Sequence, residues 1–173
     1  MIKKLLVSFL ILLLVLTGCA KKTATEQSPA NPGDFDVTKF VGTYEGTWTN
    51  KTTGASGPAV ITIVANEENK TVSLTLDFGG NYLGINDPPA FTLTANYDAN
   101  GAAVRGNSDI LGQMDITIDK DGNIIGNLTD LVGGTIPAMT YTGKIGDGQL
   151  NTDYTVTLSD GTTTTSELRT TRK

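Results

Sequence analysis

The chain predicts an all-β fold: a single antiparallel up-and-down meander, closed into a barrel of about eight to ten strands. Three observations predict it. Apolar residues recur with period two, and no helical 3.6-residue stripe runs through the chain after its N-terminal segment. Turn dipeptides fall between the alternating runs, at Asn100-Gly101, Asp121-Gly122, Asp147-Gly148 and Asp160-Gly161, and such pairs suit tight hairpins. Threonine is abundant, at about 28 residues, and a β-branched hydroxyl residue fits the solvent face of a strand. Sequential hairpins alone would leave two open edges, which closure removes.

The start of the chain is a processing segment. Met1-Ile2-Lys3-Lys4 is basic, and Leu5 to Leu16 carries no charge. A dozen residues make roughly 18 Å of helix against about 30 Å of bilayer hydrocarbon, which is short for a span and right for a signal peptide. The next residues are Leu16-Thr17-Gly18-Cys19. They resemble the lipobox of bacterial lipoproteins. The resemblance implies cleavage before Cys19, acylation of its thiol and of the new N-terminus, and a membrane anchor made of lipid. Two or three acyl chains hold a protein stably, where one holds it marginally. Ala20 at the following position implies export to the outer membrane if the source has two membranes, and the outer face of the cell membrane otherwise.

Ala20 to Asp36 reads AKKTATEQSPANPGDFD. It lacks apolar periodicity and has a linker's composition. The expected organisation is therefore a leader over 1–18, a lipidated Cys19 with a tether over 19–36, and one barrel domain over 37–173.

Within that domain the expected strands are 43–50, 58–66, 70–78, 90–97, 102–106, 110–119, 123–129, 138–145, 151–159 and 163–171. Val72, Leu74, Leu76 and Phe78 share one face of their strand, and Phe91, Leu93, Ala95 and Tyr97 share one face of the next. Met114, Ile116 and Ile118 repeat the pattern, as do Tyr154, Val156 and Leu158. One apolar face per strand, with Thr and Asp opposite, describes a soluble barrel wall. An outer-membrane barrel needs its apolar face outward.

The domain opens with Gly42-Thr-Tyr-Glu-Gly46-Thr-Trp48. Gly46-Thr47-Trp48 resembles the Gly-x-Trp triplet on the first strand of lipocalin and calycin-like barrels. The resemblance implies that Trp48 plugs one barrel end and that a basic residue of the last strand packs across it. In Ser166-Glu-Leu-Arg169-Thr-Thr-Arg172, Arg169 is the expected partner, since Arg172 is nearly terminal.

Composition excludes much chemistry. There is no His and one Cys, so no Ser-His or Cys-His pair, no imidazole ligand and no intrachain disulfide exists. No carboxylate pair stands out for acid–base work, and no catalytic residue, cofactor or metal is expected. Asp119-Lys-Asp121-Gly122-Asn123 has calcium-loop spacing, but Ile124 stands where such a loop needs Gly, so it reads as a hairpin turn. Loss of Lys3 and Lys4 with the leader takes the formal charge from −5 to −7, which argues against nucleic acid as a partner.

Two loops, 81–89 and 131–137, carry apolar side chains and are candidate mouth loops of a barrel. The expected function is binding of a small apolar ligand, with Leu74, Phe78, Leu93, Tyr97, Met114 and Tyr141 lining the site. The alternative is an interaction protein of the cell surface with a filled barrel and no ligand.

Overall fold

The computed structural model describes residues 34–173. The leader, Cys19 and residues 20–33 of the expected tether lie outside the described residues. A 3₁₀ turn, Val37–Lys39, precedes twelve strands. These are β1 Gly42–Asn50, β2 Ser56–Asn66, β3 Thr71–Phe78, β4 Asn81–Tyr82, β5 Ile85–Asn86, β6 Phe91–Asp98 and β7 Gly101–Ser108. The series continues with β8 Gly112–Asp119, β9 Asn123–Asp130, β10 Ile136–Gly146, β11 Gln149–Thr157 and β12 Thr163–Arg172.

Ten of them close a barrel in the order β1-β12-β11-β10-β9-β8-β7-β6-β3-β2, every pair antiparallel. The all-β meander read from the alternation is the observed fold. Each of the ten expected segments is a barrel strand, with bounds shifted by a few residues. The segment 81–89 contains something the alternation did not announce: β4 and β5 form a separate two-stranded hairpin. Among the described residues no helix is long and apolar enough to cross a membrane.

The barrel core follows the period-two pattern. Ile61, Ile63, Val72, Phe78, Leu93, Val104, Ile116, Ile124, Leu128, Met139, Val156 and Leu168 are buried, and each such side chain contributes roughly 1.5–3 kcal/mol relative to exposure. Most of the strand threonines face outward, though Thr152 and Thr170 are buried, and outward ones meet across strands: Thr43 and Thr62 hydroxyls lie 3.4 Å apart, Thr75 and Thr92 hydroxyls 3.0 Å apart.

One end of the barrel is sealed by the segment before β1. Phe35, Val37 and Phe40 are buried there, with the rings of Phe35 and Phe40 5.3 Å apart and Tyr97 6.1 Å from Phe35. The Phe35 amide donates to the Ala99 carbonyl at 2.8 Å. The folded unit thus reaches back to Phe35, inside the stretch expected as tether. Asp36 caps the 3₁₀ turn by accepting from the Thr38 amide.

The pairing of a first-strand aromatic with a last-strand cation differs from expectation. Trp48 is opposite Leu168, and Arg169 is opposite Thr47 on the outer face. Arg169 donates to the Thr152 carbonyl and to Asp153, and its guanidinium lies 3.0 Å from Glu167. It does not pack across Trp48. Tyr44, four residues earlier, sits opposite Arg172. The Arg172 guanidinium carbon is 5.5 Å from the Tyr44 ring centroid and its nitrogen donates to the Lys39 carbonyl. Tyr44 is fully buried and its hydroxyl donates to the Phe40 carbonyl at 2.9 Å. Gly42-Thr43-Tyr44 with Arg172 therefore does at the sealed end what was expected of Gly46-Thr47-Trp48 with Arg169. Gly46 is needed for another reason: a Cβ there would collide with the Arg169 carbonyl, where β12 crosses close to β1.

Candidate functional site

The end opposite the seal is covered by the β4–β5 hairpin. Phe78 ends β3, and Gly79 and Gly80 turn the chain back over the opening. The Gly79 amide donates to the Pro58 carbonyl at 2.9 Å. Asp87 closes the base of the hairpin: its carboxylate accepts from the Gly80 amide and its own amide donates to the Gly80 carbonyl, both at 2.7 Å. Leu83 and Gly84, at φ 53° and 83°, make the tip; two successive positive φ values define the hairpin turn whose twist matches its strands.

This hairpin drives Tyr82 down into the barrel. Tyr82 is 7% exposed. Its ring stacks on Phe78 at 4.2 Å and meets the edge of Trp48 at 5.5 Å. Trp48 in turn donates its indole N–H to the Gly79 carbonyl at 2.9 Å. The indole is thus a structural part of the cap, at the end opposite Arg172.

Beneath Tyr82 lies a chamber of about 110 Å³. Its walls are apolar: Ile61, Ile63, Leu74, Leu76, Phe78, Leu93, Ile116, Leu128, Met139, Ile145, Leu150 and Leu168 among them. Tyr82, Tyr141, Tyr154 and Thr152 are its polar groups. Above Tyr82 is an outer vestibule of about 510 Å³, lined by Trp48, Leu83, Ile136, Val156 and Leu158. Tyr82 and Tyr154 belong to both spaces, so these two phenols are the partition between them.

The phenols are tuned by burial. Desolvation pushes the Tyr82 hydroxyl well above its ordinary value of 10.0, and a hydrogen bond with Tyr154 pushes in the same direction. The same bond lowers Tyr154 against a larger rise from burial. Tyr141 is raised by burial alone and makes no hydrogen bond with any described residue. It is half-buried and lines the chamber.

Of the six residues expected to line a ligand site, Leu74, Phe78, Leu93 and Tyr141 line the chamber. Tyr97 and Met114 do not. Tyr97 packs at the sealed end against Phe35, with the Lys70 ammonium 5.4 Å from its ring centroid. Met114 is buried beside β7, where Gly106 is its register partner. Tyr82 belongs to the mouth loop read in the sequence at 81–89, and its insertion makes that loop a cap. Tyr154 stood in the alternation without being singled out. Its signal was position: an inward tyrosine near the end of a strand that leads to the mouth.

The second mouth loop, Leu131–Gly134, is a left-handed turn. Asp130, Val132 and Gly133 have φ 59°, 50° and 64°, and Leu131 is fully buried beneath it. The Val132 amide donates to the Ile110 carbonyl. The Asp119 segment folds as the expected hairpin turn: its carboxylate accepts from the Asp121 and Asn123 amides at 2.9 Å and from the Asn123 side chain at 2.7 Å. These bonds hold its pKa below the usual carboxylate value. No group of three or more acidic or sulfur ligands is placed to hold a metal among the described residues.

No protein-family profile matches the chain, and no curated protein matches it. Among solved structures it is similar to a protein of unknown function from the DUF3598 family of Nostoc punctiforme PCC 73102, with a TM-score of 0.57 and 12% identity. The match covers 86% of this chain and 53% of that one, so this chain spans about half the length of its structural neighbour. At that identity the likeness shows the fold, an antiparallel barrel, and nothing of activity.

Proposed function

We propose that this chain is a lipid-anchored protein of the cell envelope whose barrel takes up a small, mainly apolar ligand under the Tyr82 cap. The observation that carries the reading is the partition. An apolar chamber and a larger vestibule are separated by two phenols, Tyr82 and Tyr154, and Tyr82 is carried on a hairpin outside the barrel's hydrogen-bond ladder. Displacing Tyr82 merges the two spaces. The closed chamber is smaller than an engineered cavity of about 150 Å³ that holds benzene, and typical ligand sites start at about 300 Å³. Occupancy by anything larger than a few heavy atoms therefore requires cap movement. The Tyr141 hydroxyl supplies one polar contact, so the favoured ligand has an apolar body and one hydrogen-bonding group.

Trp48 is the single tryptophan and touches Tyr82, which makes it the reporter. A chain beginning at residue 20 is titrated with benzene, 1-octanol and decanoate while Trp48 emission is followed. Saturable change with 1-octanol, weakened about tenfold by Tyr141→Phe, supports the reading. No saturable change with any of the three would leave the second reading. That reading is a filled barrel acting through its surface, and the small chamber volume favours it. Anchoring is tested separately: a Cys19→Ser chain that still reaches the membrane fraction processed and carrying acyl mass would end the lipobox reading.

A further inference from the structure

The barrel wall is incomplete along one seam. β6 and β7 share three residue pairs, from Asp98↔Gly101 to Asn96↔Ala103. Every other neighbouring pair of the wall holds at least six. Beyond Asn96, β6 runs on to Phe91 paired only with β3, and beyond Ala103, β7 runs on to Ser108 paired only with β8. Two facing strand edges, each about five residues long, border a groove of about 1030 Å³. Leu93 and Val104 close the interior behind it, at 8% and 4% exposure.

We propose that this seam binds an extended peptide segment of a partner protein by strand addition, with a basic residue of that segment against Asp109 and Asp130. Unpaired strand edges are templates for another strand, because main-chain donors and acceptors seek partners whatever the side chains. Gly106 stands mid-edge at φ 143°, with open space where a Cβ would lie, and glycine in a strand interior suits close approach by another backbone. The groove's charge selects the occupant. Among the described residues that line it, the one cation, Arg105, is engaged by Asp115 at 3.0 Å, while the carboxylates of Asp109 and Asp130 have no partner among the described residues. A second copy of this acidic chain would set those carboxylates against each other, so a basic segment is favoured over self-association.

The test uses the full acylated protein in phosphatidylcholine nanodiscs and two pools of degenerate octapeptides, one with Lys at both ends and one with Glu. Amide hydrogen exchange is followed by mass spectrometry. The expected result is slowing by about tenfold at 91–95 and 104–108 with the Lys pool, and several-fold less with the Glu pool. N-methylation of alternate peptide residues abolishes it, since that removes the donors of strand pairing. Asp109→Asn with Asp130→Asn erases the preference for Lys without changing exchange elsewhere in the barrel. Exchange unchanged by either pool, or protection that survives N-methylation, overturns the proposal. So does protection that appears with rising protein concentration and no peptide, which would make the occupant a second copy.

Discussion

The two ends of this barrel are closed by different means. At one end the chain itself is the stopper. Phe35, Val37 and Phe40 enter directly before β1, and Tyr44 and Arg172 lock them with a buried phenol, a guanidinium over its ring and two bonds to main-chain carbonyls. At the other end a detour of the chain between β3 and β6 folds over, held by Gly79, the Asp87 clasp and the Tyr82–Phe78–Trp48 stack. The stopper runs directly into β1 and is tied to the wall by the Phe35 amide on Ala99 and by Tyr44 and Arg172 on the Phe40 and Lys39 carbonyls. The cap hairpin takes no part in the barrel's hydrogen-bond ladder. Similar aromatic chemistry thus closes one end with the lead-in to the wall and the other with a hairpin outside the ladder, and under the proposed function only the second has to move.

Breaking the stopper has the largest expected effect. Tyr44→Ala removes a buried aromatic and the seat of Arg172, and costs about 3–5 kcal/mol, read as a lower urea midpoint. If the proposed apolar ligand binds, its binding per folded molecule should stay the same, because the proposed site is at the other end.

Alkaline pH discriminates next. All five tyrosines have hydroxyls raised by burial, Tyr82 the most plainly. Well below pH 10 the phenols are protonated in both states, and their contribution is complete. Above it the unfolded chain loses protons that the folded chain keeps. Stability then falls by about 1.4 kcal/mol per pH unit for each fully protected tyrosine, until the folded value is reached. Phenolate absorbance should rise together with unfolding, and Trp48 emission at the cap should change before amide protection at the seal is lost.

Tyr82→Ala should cost about 1–3 kcal/mol, less than Tyr44→Ala, and should speed ligand association measured by stopped flow. Equal costs for the two variants would show that the cap is as much part of the fold as the stopper. Arg172→Met removes the cation and keeps much of the stem, for a loss of about 0.5–2 kcal/mol. Asp87→Ala opens the clasp at about 1 kcal/mol, with faster exchange at the Gly80 amide and no change at the Phe35 amide.

The wall was legible because a strand's two faces differ in polarity, and TVSLTLDF or FTLTANY shows that residue by residue. The aromatic–cation pair was not. Gly42-x-Tyr44 and Gly46-x-Trp48 lie on the same strand face, so alternation cannot choose between them. Choosing needs the register of the closing pair β1–β12, in which a one-residue slip would bring Arg169 inside. The chamber's volume was equally hidden, since it is what remains after many rotamers have packed. The seam escaped because it is a fault in hydrogen bonding, and the side chains of β6 and β7 alternate whether or not the edges meet. The cap was half visible: Tyr82, Leu83 and Ile85 marked a loop too apolar for solvent, while Pro88-Pro89 hid the short strands before them.

The chain enters and leaves the barrel at the same place. The Phe35 amide is held by Ala99, and the Lys173 amide by the Thr43 carbonyl. In mechanical terms both points of attachment sit on the stopper. A pull on the segment preceding Asp34 is carried by Phe35, Phe40 and the rungs of β1, while the hairpin bearing Tyr82 lies outside the line of force. A load applied at that end is borne without the cap being the part that gives.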